Sequence, residues 1–101
     1  MEDREYLTLL YLIYGALLTN NERSYFEYYY FEDYSLAEIA SNHSVSKANV
    51  SKVINLTCKK LINYENKLNI YKSHKKIKEL VNLTNDKTLI EKLMSYYKII
   101  L

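Results

Sequence analysis

Seven positions between 46 and 55 carry side chains of the types with which proteins contact nucleic acids. They are Ser46, Lys47, Ala48, Asn49, Ser51, Lys52 and Asn55. Lysine can contact guanine or a phosphate, and asparagine can pair with adenine. If this segment is the second helix of a helix-turn-helix, these positions lie on its outer face. The predicted chemistry is therefore non-covalent contact with an anionic polymer.

The sequence contains no motif typical of a catalytic, metal-binding or cofactor-binding site. Gly15 is the single glycine, so a glycine-rich phosphate loop is excluded. His43 and His74 have no cysteine or acidic residue at metal-ligand spacing. Cys58 is the single cysteine and, beside a run of apolar residues, is interpreted as a small core residue rather than a nucleophile. We therefore expect no catalytic residue, no metal site, no cofactor and no enzymatic activity.

Charge is divided unevenly along the chain. Residues 1–45 carry two arginines against eight acidic residues, a net charge of −6, and residues 46–101 carry twelve lysines against four acidic residues, a net charge of +8. The sign changes where the seven candidate residues begin. Such asymmetry indicates an anionic partner for the second half. A further basic run, Lys72–Lys78, could contact phosphates or form a solvated helix face.

An all-α fold is predicted for the elements that position these residues. The 101-residue chain contains no proline and one glycine, and its apolar residues recur at helical spacing. Its length fits one domain, 1–101, with a helix-turn-helix at about 35–55 and C-terminal helices at about 73–100. The expected helices cover residues 4–18, about 20–31, 36–41, 47 to about 70, about 73–83 and about 88–99.

The helix-turn-helix is the most specific local pattern. Ser35 and Glu38 have the spacing of a capping box, and Ala40 is small where two helices would cross. Ser44 stands where glycine is usual, so it is expected to take a left-handed conformation at some cost. Three apolar side chains are expected inside: Val45, Val50 and Val53. The alternative is a helical corner that merely resembles the motif.

A heptad seam is predicted along the fourth helix. Its members are Val50, Ile54, Thr57, Leu61, Tyr64, Leu68 and Tyr71. The seam, together with a first helix that is apolar on two faces, predicts a homodimer that buries part of Tyr6–Leu18, part of Ile54–Tyr71, or both. Alternatively, the C-terminal helices fold back over these stripes. The aromatic run Tyr25–Phe31 is interpreted as core packing, with base stacking as the alternative.

Three features predict a cytoplasmic chain without membrane insertion. The apolar segment Tyr6–Leu18 has 13 residues, fewer than the roughly 20 that span a bilayer. The single cysteine permits no intramolecular disulfide, and residues 1–5 are acidic, unlike the start of a signal peptide.

Several segments resemble a known family. Leu18-Thr19-x-x-Glu22-Arg23 and the stretch from Tyr28 through Ala40 to Ser46 are similar to region 4 of bacterial sigma factors. Tyr28-Tyr-x-x-Glu-Asp-Tyr-Ser-Leu-x-Glu-Ile-Ala and Tyr64-Glu65-x-Lys67-Leu68-x-x-Tyr71 resemble the YlxM family, small helix-turn-helix proteins of Gram-positive bacteria and mycoplasmas. The family's genes typically neighbour that of the signal recognition particle GTPase. The resemblance implies an accessory or regulatory role in protein targeting, with the particle's RNA or GTPase as partner and no known catalytic activity.

One departure from the pattern bears on function. Sigma region 4 proteins place Arg or Gln on the recognition helix, whereas this segment offers Lys47 and Lys52, which lack the bidentate fork of arginine. Base discrimination should therefore be modest. The leading hypothesis is a regulator or accessory factor of the signal recognition particle. The alternatives are a DNA-binding transcription regulator and a protein-interaction module on a helix-turn-helix scaffold.

Overall fold

The computed structural model describes residues 3–96, and the regular structure in that range is helical throughout. This confirms the all-α prediction. The described range contains six α-helices and one 3₁₀ turn. The helices are α1 (Arg4–Tyr14), α2 (Asn20–Tyr30), α3 (Leu36–His43), α4 (Lys47–Leu68), α5 (Ile70–Asn82) and α6 (Lys87–Tyr96).

The long helix α4 is the axis on which the other elements pack. Helices α1, α2 and α3 all contact α4, α5 packs on α1 and α4, and α6 contacts α5. The buried stripe of α4 that precedes Glu65 consists of Val50, Ile54, Thr57 and Leu61, spaced alternately by four and three residues. This stripe is the first half of the predicted heptad seam. It is covered by the chain's own helices, so this part of the seam is not free to join a second copy.

Two adjoining clusters form the hydrophobic core. The first joins α1 to Phe26 of α2 and Leu61 of α4, and it includes Leu10, which is fully buried. The second lies under the helix-turn-helix and contains Tyr25, Ile39, Ala40, Val50 and Ile54. The aromatic run is split by this arrangement. Tyr25 and Phe26 are buried as core residues, Tyr28–Tyr30 are half-buried and Phe31 is 47% exposed.

The first helix is shorter than the predicted range 4–18. It ends at Tyr14, residues Gly15–Leu17 form a 3₁₀ turn, and Leu18 is extended. The chain must leave the helix here because Thr19 caps α2 through a reciprocal pair of hydrogen bonds with Glu22. A Cβ atom at Gly15 would lie 3.2 Å from the ring of Tyr11, so the small residue lets this turn pack closely.

The predicted seam is wrong beyond Tyr64. Helix α4 ends at Leu68 rather than near Ile70, Leu68 is 53% exposed, and Asn69 adopts a left-handed conformation with φ of 54°. Tyr71 belongs instead to α5 and meets the ring of Tyr6 edge-on at 5.5 Å. Asparagine tolerates left-handed geometry better than most residues, which allows a break without glycine.

The C-terminal helices begin slightly earlier than predicted. Helix α5 begins at Ile70 instead of 73, and α6 begins at Lys87 instead of 88. Asp86 accepts a hydrogen bond from the backbone N–H of Leu89 at 3.1 Å, the geometry of an N-terminal cap. The last residues of the predicted helix 88–99 lie outside the described range.

Candidate nucleic-acid interface

The first helix of the motif, α3, begins at the predicted capping box. The Ser35 N–H donates to Glu38 Oε1 at 3.0 Å, and the Glu38 N–H donates to Ser35 Oγ at 3.1 Å. Ile39 is fully buried and Ala40 is 6% exposed. The small side chain at Ala40 allows the close packing between α3 and α4 that the sequence predicts.

The turn between α3 and α4 is closed by a Schellman motif. Ser44 has φ of 55° and ψ of 42°, which confirms its left-handed conformation. The Val45 N–H donates to the Ala40 carbonyl at 3.1 Å, and the Ser44 N–H donates to the Ser41 carbonyl at 3.4 Å. Val45 itself is 38% exposed, so the prediction that it plugs the core is wrong. It lies between this motif and the cap of α4, and backbone hydrogen bonds fix its place.

The second helix, α4, begins with its outer face free. Ser46 Oγ accepts a hydrogen bond from the Asn49 N–H at 3.0 Å, which satisfies one of the amides at the helix start. Val50 is completely buried, Ile54 is 4% exposed and Val53 is half-buried. These residues anchor the first two turns of α4 on α2 and α3 and leave the opposite face in solvent.

The structure places the predicted site residues on one accessible end of α4. Six are exposed: Ser46, Lys47, Ala48, Asn49, Lys52 and Asn55. Ser51 is half-buried, because it lies on the flank of the helix that borders a groove toward α2. Within residues 3–96, neither Lys47 nor Lys52 forms an ion pair; the two pairs present join Arg4 to Asp33 and Lys60 to Glu22.

Two further residues of the same face were missed by the sequence interpretation. Lys59 is exposed and lies seven residues after Lys52, two turns further along α4. Leu56 is 46% exposed on the same side of the helix. The spacing of four between Asn55 and Lys59 was the signal that could have identified this extension.

Polar contacts lock α2 against α4 and hold the site in place. Lys60 Nζ lies 2.6 Å from Glu22 Oε2. Burial opposes ionisation of Glu22, but the hydrogen bonds from Lys60 and Thr19 outweigh it and lower its pKa. The Tyr30 hydroxyl lies 3.6 Å from Cys58 Sγ, and burial raises the pKa of both groups. A thiol with a raised pKa stays protonated at neutral pH, which suits the predicted core role of Cys58.

A buried carboxylate at the far end of α4 was also missed. Glu65 is 4% exposed; its Oε1 accepts from the Tyr14 hydroxyl at 2.6 Å and from the Tyr71 N–H at 3.0 Å. Its Oε2 accepts from the Lys72 N–H at 3.1 Å. The Tyr14 hydroxyl in turn accepts from the Ile70 N–H at 3.2 Å. The side chain of Glu65 therefore caps α5 from the preceding helix.

This cap also changes the acidity of its tyrosine. Burial, followed by the hydrogen bond to the Glu65 carboxylate, raises the pKa of Tyr14 to about 12. The positive end of the α5 dipole favours a carboxylate at this position. The sequence signal is the segment Tyr64–Tyr71, whose resemblance to the YlxM family includes Glu65 but does not indicate that this residue caps α5.

Residues 3–96 contain neither a metal-binding cluster nor a helix that could span a membrane. No three His, Cys, Asp or Glu side chains in that range are arranged to hold a metal ion. None of the described helices combines the length and apolar character needed to cross a bilayer.

The geometry defines an all-α protein with a helix-turn-helix whose second helix is long and open on its outer face. Comparison with known proteins places it more narrowly. Residues 1–99 match the UPF0122 family, described as "Putative helix-turn-helix protein, YlxM / p13 like". The chain belongs to this family.

Relatives with the same family name occur in several bacteria. A UPF0122 protein of Ureaplasma urealyticum serovar 10 is 44% identical over 90 residues, which cover 89% of this chain and 91% of that protein. One from Clostridium kluyveri is 40% identical over 97 residues (96% and 83%). One from Staphylococcus epidermidis is 36% identical over 91 residues (90% and 83%). The family membership confirms the predicted helix-turn-helix, and it leaves the bound partner to be argued from the site.

Proposed function

We propose that this chain is a non-enzymatic, nucleic-acid-binding factor that assists or regulates the signal recognition particle. The observation that carries the binding function is the outer face of α4. Lys47 and Lys52 are exposed there without an ion pair inside residues 3–96, on a helix end fixed by buried Val50 and Ile54. Lysines in this state can exchange counterions for phosphates of a nucleic acid. The likeness to sigma region 4 and the YlxM resemblance support the assignment.

RNA suits this surface better than a specific DNA sequence. The two arginines of the chain, Arg4 and Arg23, both lie outside α4, so the rigid bidentate fork of arginine is absent from this face. Lysine contributes a point charge with little base selectivity. Folded RNA is read largely by shape and backbone, which requires no such fork. The particle's RNA therefore fits the chemistry, with its GTPase as a second contact.

A DNA-binding regulator remains the rival function because one observation favours it. Asn49 and Asn55 are exposed on the same face as the lysines, and asparagine can pair with adenine in the major groove. A module that binds only protein is the third possibility. The experiment below distinguishes both alternatives from the proposed function.

We further propose that the protein acts in the cytoplasm as a homodimer. Leu12 and Leu17 are 67% and 58% exposed at the end of α1 and in the turn that follows it. The first half of the seam on α4 is covered by the same chain and is not available to a second copy. The proposed dimer contact is therefore this α1 surface. Sedimentation at micromolar concentration should give twice the chain mass, and Leu12→Asp should reduce it to the chain mass.

Competition for the immobilised protein tests the function. Particle RNA, the GTPase and a pool of random DNA duplexes are offered together at physiological ionic strength. We expect retention of the RNA, alone or together with the GTPase, in preference to the duplexes, because the site favours backbone and shape over base identity. A matched control, Lys87→Ala/Lys92→Ala on α6, removes two exposed lysines outside the site and should retain the same partner.

Two results would overturn the proposal. Enrichment of one duplex sequence by about a thousandfold, the range of specific DNA readers, without retention of RNA or GTPase, would identify a transcription regulator. Retention of protein alone, unchanged in Lys47→Ala/Lys52→Ala, would identify an interaction module.

A further inference from the structure

A groove runs along the flank of α4, beside the proposed contact face. It encloses about 460 Å³, within the range of roughly 300–1,000 Å³ typical of small-molecule sites. All four N-terminal helices contribute to it: Leu7 from α1, Tyr29 and Tyr30 from α2, Leu36 from α3, and residues of α4. Buried Leu7 and Ile54 are part of its lining. The groove is therefore formed by packed helices, and no loop residue contributes to its lining.

One wall of the groove is aromatic. Tyr29 and Tyr30 are half-buried, and their rings meet edge-on at 5.0 Å. The ring of Tyr30 is fixed by Phe26 at 4.4 Å and by the guanidinium of Arg4, which lies 5.1 Å from the ring centre. Arg4 also donates hydrogen bonds to the carbonyls of Tyr29 and Tyr30, at 3.3 and 2.6 Å. This wall is therefore held rigidly, which reduces the entropic cost of binding a flat ring.

The edge of the groove on α4 is polar. Ser51, Asn55 and Lys59 line it, and their side chains form no hydrogen bond or ion pair within residues 3–96. The Tyr29 hydroxyl likewise has no hydrogen bond in that range, whereas the Tyr30 hydroxyl is engaged with Cys58. Two of these residues, Ser51 and Asn55, belong to the predicted contact set, so the groove opens onto the proposed nucleic-acid interface.

We infer that this groove binds an unpaired nucleobase of RNA, extruded from a helix whose backbone lies on α4. An apolar floor with an aromatic wall suits the faces of a base, and free hydroxyl and amide groups suit its edges. The charge of Lys59 at the groove edge complements the phosphate that accompanies the base. Neither a duplex interior nor an apolar peptide combines these features. The inference rests on the proposed function and specifies its ligand as RNA with a bulge or loop.

Two RNA hairpins test it, one fully paired and one identical except for a single bulged uridine. The protein should bind the bulged hairpin about tenfold more tightly, because stacking of one base is worth a factor of that order. Ser51→Phe fills the groove and should remove this advantage, so that the variant binds the two hairpins with equal affinity. Ser95→Phe, at an exposed serine of α6, is the matched control and should keep the advantage.

The two proposals fail in different ways. Loss of affinity for both hairpins in Lys47→Ala/Lys52→Ala, with the ratio preserved, supports the proposed backbone contact independently of the groove. Equal binding of the two hairpins by the wild type, or a full advantage in a folded Ser51→Phe, overturns the groove inference alone.

Two more measurements keep the test decisive if Ser51→Phe does not fold. Tyr29→Leu keeps the backbone carbonyl that Arg4 binds and removes the ring, so it should also lose the advantage. A 5-iodouridine placed at the bulge should crosslink to the peptide that contains Tyr29. A crosslink confined to α5 or α6 would overturn the assignment.

Discussion

The two ends of α4 differ in how they treat their polar groups. At the start, Lys47, Lys52 and Asn55 are exposed and form no hydrogen bond or ion pair through their side chains within residues 3–96. Near the end, Glu65 is 4% exposed, and both of its oxygens accept hydrogen bonds. We call the start of α4, where Lys47, Lys52 and Asn55 are exposed, the open end, and the part around the buried Glu65 the closed end.

The difference separates groups that stabilise the fold from groups that are free to bind. A buried carboxylate with three hydrogen-bond donors costs free energy when any partner is removed. Exposed lysines without partners contribute little to folding, because solvent and salt screen them. Substitutions at the closed end should therefore change stability, and those at the open end should change binding.

The largest expected effect is at the closed end. Glu65→Ala leaves the Tyr14 hydroxyl and the N–H groups of Tyr71 and Lys72 without their acceptor, so the free energy of unfolding should fall by about 2–4 kcal/mol. Urea denaturation measures this change. Glu79→Ala, at an exposed glutamate of α5, is the control and should stay within about 0.5 kcal/mol of wild type. Equal effects at the two glutamates would mean that Glu65 does not cap α5.

A smaller effect is expected from Tyr14→Phe, which removes one hydroxyl from the same cluster. The Ile70 N–H loses its acceptor and Glu65 loses one donor, so the loss should be about 1–2 kcal/mol. The measurement is again urea unfolding at neutral pH.

The same variant should also change the pH dependence of stability. The pKa of Tyr14 is about 12 in the folded chain against 10.0 ordinarily, so its contribution is fully present below pH 10 and is lost as the pH rises through 12. The stability difference between wild type and Tyr14→Phe should therefore shrink between pH 10 and 12. A constant difference across that window would contradict the raised pKa of the buried Tyr14 hydroxyl.

A gain in stability is expected when Ser44, in the turn before α4, is replaced by glycine. Ser44 has φ of 55°, where a side chain is disfavoured, so Ser44→Gly should stabilise the fold by about 0.5–1 kcal/mol after the entropic cost of glycine. The melting temperature should rise accordingly. Asn69→Gly is the matched control at the other left-handed position, and its gain should be smaller because asparagine tolerates that region. A loss of stability in Ser44→Gly would show that the serine side chain stabilises the fold by more than its left-handed backbone strains it.

The local signals of the helix-turn-helix made its fold predictable. Ser35 with Glu38 and Thr19 with Glu22 are spaced as capping boxes, and both form. The repeat of Val50, Ile54 and Leu61 identified the buried face of α4. These features depend on residues within a few turns of one another, which is why a single sequence reveals them.

Other features depend on contacts between distant parts of the chain. Tyr14 meets Glu65 across 51 positions, and that contact determines where α5 begins. The heptad pattern in the sequence extends through Leu68 to Tyr71. Helix α4 nevertheless ends at Leu68, because Asn69 is left-handed and Glu65 caps the next helix. Val45 is apolar enough for the core, yet the backbone hydrogen bonds of the Schellman motif and the Ser46 side-chain cap of α4 fix its position at the surface. Periodicity alone carries no information on such tertiary contacts.

Removal of two lysines from the open end should have the smallest effect on folding, and it tests the central claim most directly. The measurement is the salt dependence of affinity for a hairpin RNA in wild type, in Lys47→Ala/Lys52→Ala and in the control Lys87→Ala/Lys92→Ala. If each lysine at the open end contacts one phosphate, the slope of log affinity against log salt should flatten by about two units in the first variant. The control should keep the wild-type slope, and the free energy of unfolding should change by less than about 0.5 kcal/mol in both. An unchanged slope in Lys47→Ala/Lys52→Ala, or equal flattening in the control, would contradict the assignment of the nucleic-acid contact to the start of α4.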